Sequence, residues 1–154
     1  MKYEIVTLNQ KTVVGIIKQT TNEGGQCVKD IGEIWQNFIT TGIYEKIVEK
    51  VNHKVIGLYT DYQGDFTKPY DFIACCEVMD DRMLDSFLTK KIIPKGKYAK
   101  FIINGDVEKA VGQFWTKLWQ MDLDRAYTCD FEEYQNNSQH MKNQEIHIYI
   151  SLKE

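Results

Sequence analysis

No apolar run in this chain approaches the roughly 18 residues needed to cross a bilayer. The N-terminal MKYEIVTLNQ lacks the apolar segment of a signal peptide and starts like a strand. Charge of one sign is also lacking. The 22 acidic residues face 19 basic ones, for a net charge of −3. That balance leaves no electrostatic footprint for nucleic acid, so no direct nucleic-acid binding is expected. The four cysteines, Cys27, Cys75, Cys76 and Cys129, form no C-x-x-C and stand at no zinc spacing from a histidine. His53, His140 and His147 are scattered, without ligand or triad spacing. These absences predict reduced thiols, no metal, no cofactor, no membrane association and a cytoplasmic location.

Aromatic residues are what the chain has in quantity: 3 Trp, 9 Tyr and 7 Phe in 154 residues. The length fits one domain over 1–154, able to bury roughly 68–70% of its unfolded surface without disulfide or metal. Strand-like runs open the chain at Lys2–Val6 and Thr12–Ile17, separated by a turn at Asn9–Lys11. A polar loop leads to a helix over about Val28–Thr41. Its apolar residues Ile31, Ile34, Trp35, Phe38 and Ile39 share one face, and Gly42 is placed to end it. Two strands follow, Val55–Tyr62 and Asp71–Val78. The order then repeats. Lys97–Ile103 reads as a strand, and Asp106 as the N-cap of a helix over about Val107–Met121. Ala126–Tyr134 and Glu145–Leu152 read as two further strands.

The halves, about 1–79 and 80–154, also match in sequence. Gly32–Phe38 aligns with Gly112–Leu118 at an offset of 80, both fitting G-x-[IF]-W-x-x-[FL]. Tyr59-Thr60 aligns with Tyr127-Thr128 at an offset of 68. The expected fold class is therefore α+β, a duplicated strand–helix–strand–strand unit with pseudo-two-fold symmetry. Its strands form one antiparallel sheet or two abutting ones, with both long helices on one face. A central ligand cleft should lie between the helices.

The last third carries the most specific pattern. Asp130-Phe131-Glu132-Glu133-Tyr134 precedes Glu145-Ile146-His147-Ile148-Tyr149-Ile150. This order, D-F-E-x-Y and then E-[IL]-x-I-Y-[IV], resembles the GyrI-like small-molecule-binding domains. These also serve as effector-binding domains of bacterial multidrug-responsive transcription regulators. Gly57–Tyr62 and the Gly32–Trp35 helix motif extend the resemblance over essentially the whole chain. The likeness is greatest to stand-alone members such as integron-cassette proteins that bind cationic drugs. Ser151 stands where the family often has proline, at the strand end.

The resemblance implies binding of bulky, hydrophobic, cationic small molecules in an aromatic cleft, with Glu132 as the central carboxylate. A carboxylate in a partly dry, aromatic-walled site is costly alone, and a lipophilic cation offsets that cost. Ring faces add cation–π attraction of about 0.5–2 kcal/mol each. Trp35, Trp115 and Trp119 fit either the helix core or the cleft wall. Tyr59 and Phe72 fit wall or core equally. Tyr149 is a candidate to orient Glu132, and Glu77 is a second acidic candidate or a surface residue. No nucleophile–base pair is visible, so no catalytic residue is assigned. In an enzymatic alternative, hydrolysis of strained electrophilic molecules, Glu132 would be the base. A third alternative is a protein-interaction role, with gyrase or a separate regulator as partner.

Overall fold

The computed structural model describes residues 1–79, 85–136 and 143–154. Strands β1 (Glu4–Leu8) and β2 (Lys11–Thr20) precede a 3-10 turn and helix α1 (Gln26–Thr40). A short helix α2 (Ile43–Lys46) leads to β3 (Val55–Thr60) and β4 (Tyr70–Glu77). The second half has β5 (Thr89–Ile93), β6 (Gly96–Gly105), α3 (Val107–Leu118), β7 (Arg125–Tyr134) and β8 (Gln144–Leu152). Gly42 follows α1 with φ +70°, the left-handed geometry its position predicts. Asp106 caps α3, its side chain accepting from the Lys109 backbone N–H at 3.2 Å.

The eight strands of the described residues join one antiparallel sheet in the order β1-β6-β8-β7-β3-β4-β2-β5. The pseudo-two-fold axis runs between β3 and β7. Burial along the two helices follows the repeat: residues 31–40 and 111–120 show the same residue-by-residue alternation of buried, half-buried and exposed positions. Each helix lays its apolar stripe on the same side of the sheet. Ile34 and Phe38 pack over β2 and β4, and Phe114 and Leu118 over β6 and β8.

The structure adds two features to the expected fold. Strand β5 has no counterpart among the expected strands; it begins five residues beyond the segment 80–84, which lies outside the described residues. The short strands β1 and β5 also change places. β1 pairs with β6 of the second half, and β5 pairs with β2 of the first. A second core fills the face without helices, including Ile56, Leu58, Ile73, Tyr98 and Phe131. No helix among the described residues covers it, so the sheet itself must curl around this core.

Candidate functional site

Side chains alternate across a strand, so the helix-facing residues of β3 and β7 include Val55, Gly57, Tyr59, Asp130, Glu132 and Tyr134. Gly57 and Glu132 are direct partners in the register between the two strands. The absence of a side chain at Gly57 leaves room for the rings above it. A Cβ there would stand 3.0 Å from Phe72 Cζ and 3.3 Å from Trp35 Cζ2.

Four rings surround the carboxylate. Trp35 of α1 meets Tyr134 edge-on with centroids 5.5 Å apart, and Trp115 of α3 meets Tyr59 at 5.0 Å. The two contacts are related by the two-fold, since Trp35 and Trp115 are repeat equivalents. Tyr134 is therefore the counterpart of Tyr59. This corrects the alignment of Tyr59 with Tyr127, which instead lies in a distortion of β7 with φ +55°. Glu132 breaks the symmetry: a single carboxylate sits beside the axis, opposite a glycine.

Glu132 is only 1% exposed. Tyr134 donates its hydroxyl to Oε2 at 2.6 Å, and Trp115 Nε1 donates to Oε1 at 3.2 Å. The Tyr59 hydroxyl also donates to Oε1. Burial raises the carboxyl pKa above its ordinary value, and these three donors act in the opposite sense. Burial and the nearby carboxylate push both tyrosine hydroxyls well up. Among the described residues no cationic side chain forms an ion pair with Glu132.

The structure brings Glu132, Trp35, Trp115, Tyr59 and Phe72 together. Phe72 is fully buried beneath the quartet, with centroids 5.0 Å from Tyr59 and 6.0 Å from Trp35. Trp119 is 39% exposed and stacks on Phe66 of the β3–β4 connection at 5.8 Å, outside the quartet. Tyr149 does not join the group. It lies on the opposite face of the sheet, stacked on Phe131 at 4.6 Å, because its register partner is Phe131 and not Glu132. Glu77 is on that same opposite face, 3.4 Å from Lys11 Nζ. The sequence reading missed Tyr134 as a carboxylate partner. The signal was present, since it follows Glu132 by two residues and must share its face.

The model of the Cass2 family, integron-associated effector binding protein, matches residues 4–152. This chain belongs to that family. Among solved structures, the Cass2 integron cassette protein from the mobile metagenome of Vibrio cholerae superposes with a TM-score of 0.76. It is 29% identical, and the match covers 98% of this chain and 95% of that one. SAV2435, solved bound to tetraphenylphosphonium, gives a TM-score of 0.80 at 22% identity over 99% of this chain and 94% of its own. The candidate transcriptional regulator YobU of Bacillus subtilis (strain 168) is 24% identical over 97% of this chain and 96% of its own. The duplicated α+β fold and the effector-binding class are thus those of the Cass2 family. No helix among the described residues is long and apolar enough to cross a membrane.

Proposed function

We propose that this Cass2-family chain binds bulky apolar cations between α1 and α3, with Glu132 as their counter-charge. One observation carries the reading. A carboxylate lies buried among four aromatic rings, and among the described residues its hydrogen bonds come only from neutral donors, Tyr59, Tyr134 and Trp115. Removing an ion from water is expensive, and a buried charge is normally paired. A lipophilic cation supplies the missing partner and finds ring faces prepared for it. The rings now close over Glu132, so entry requires the Trp115 ring, the Trp35 ring or both to swing aside. Flat rings on two facing helices tolerate many ligand shapes.

The test is tryptophan fluorescence during titration with a rhodamine cation or tetraphenylphosphonium. Binding should quench or shift the emission as Trp35 and Trp115 leave their packed positions. Glu132→Gln should weaken the cations by at least tenfold. Unchanged emission at saturating cation, with no heat of binding, would overturn the proposal.

A further inference from the structure

The most buried ion pair among the described residues lies beside this site and has no part in the proposal above. Asp130 precedes Glu132 by two positions on β7, so both side chains face the helices from Cα positions about 7 Å apart along the strand. Asp130 is fully buried. Its Oδ2 accepts from Arg125 Nη2 at 2.7 Å and from the Tyr62 hydroxyl at 2.6 Å, and its Oδ1 from the Ser151 backbone N–H at 2.9 Å.

Strand positions five apart ordinarily face opposite sides, so Arg125 reaches Asp130 through a distortion of the backbone. Arg125 pairs with Leu152 and Asp130 with Ile150. Five steps on β7 therefore oppose two on β8, and a bulge holds the surplus. The guanidinium is 7% exposed and sits between two rings. Its Cζ lies 4.3 Å over the ring of Tyr127 and 5.8 Å over that of Trp115. Trp115 is the same indole that donates to Glu132. Arg125 Nε is buried without an acceptor.

We infer that Arg125 sets the charge class of ligand the site accepts: by neutralising Asp130 and occupying a face of Trp115, it leaves one free carboxylate and selects monocations over dications. This rests on the proposed cation site. The guanidinium occupies the positions a second cationic centre would need, a carboxylate and a ring face. Without it, Asp130 becomes a second uncompensated anion within reach of one ligand.

Ethidium and propidium share one ring system and differ by a quaternary ammonium, so their relative affinity reads this selection directly. The wild-type protein should bind ethidium at least as tightly as propidium. Arg125→Met should shift the ratio toward propidium by tenfold or more. Arg125→Lys, which keeps the charge, should hold the wild-type ratio, and Arg125→Met with Asp130→Asn should restore it. Should Arg125→Met fail to fold, Asp130→Asn alone provides the opposite test: it leaves the guanidinium unpaired and must weaken propidium more than ethidium. A ratio unmoved in Arg125→Met, or unmoved in Asp130→Asn, overturns this inference alone. If the wild-type protein binds neither dye, the cation site itself fails and this inference with it.

Discussion

Three neutral donors hold Glu132, and each can be removed singly. Tyr134→Phe keeps the ring and deletes one hydrogen bond to a buried carboxylate. It should cost about 1.5–3 kcal/mol at pH 7.5 by denaturant unfolding. Tyr149→Phe removes a hydroxyl on the other face of the sheet and should leave cation affinity unchanged. The raised pKa of Glu132 also has a definite sign in stability. Its contribution is fully present below the ordinary value of 4.5 and is lost as pH rises through the higher folded value. The stability of the wild-type protein relative to Glu132→Gln should therefore fall as pH increases from about 4.5. Cation affinity should move the other way, because the ligand favours the ionised form. Calorimetry in buffers of different ionisation enthalpy should show proton release on binding in that window, and none for Glu132→Gln. A buffer-independent heat at every pH would contradict the assignment.

At the level of elements, two glycines hold the sheet and site in shape. A Cβ at Gly15 would come 1.9 Å from the Ala74 carbonyl oxygen of the paired strand. Gly15→Ala therefore forces β2 from β4 and should yield no stable fold. Gly57→Ala meets only ring edges, which can shift by tenths of an ångström. It should cost about 1–3 kcal/mol through overpacking and perturb Trp35 emission. Thermal melts of the two variants should differ in that order. Both long helices and seven of the eight strands among the described residues were legible in the sequence, because period and capping are local properties: Ile34–Phe38 and Phe114–Leu118 repeat on one face, and Asp106 caps. The site was legible in part. Glu132 and the two tryptophans came from motif and repeat. Tyr134 as the partner of Tyr59 did not, because its offset differs from that of the helices and only the register of β3 on β7 reveals it. The β7 bulge that turns Arg125 onto Asp130 depends on pairing with β8, which periodicity cannot encode. Strand β5 was hidden for the same reason: Thr89–Ile93 is short and lies at the sheet edge, with its pairing partner, β2, some 70 residues away in the chain.

The exchange of β1 and β5 ties the two halves into one unit. Each half contributes the edge strand that completes the other half's side of the sheet, and the central β3–β7 pairing joins them again. Neither half should fold alone. Deleting residues 1–8 should raise hydrogen exchange in β6, over residues 96–100, before it affects β2, although β2 is adjacent in sequence. Loss of protection confined to β2 would contradict this topology. The same interlocking explains how a buried carboxylate persists at the two-fold axis. Both halves supply rings and donors around Glu132.

We propose that one carboxylate, Glu132, gives this aromatic site a preference for cations. Calorimetric titration of the wild-type and Glu132→Gln proteins at pH 7.5, with tetraphenylphosphonium and with neutral triphenylmethanol, tests it most directly. The expected result is a loss of tenfold or more for the cation in Glu132→Gln, with the neutral compound unchanged. Equal losses for both compounds, or none for either, would contradict the claim.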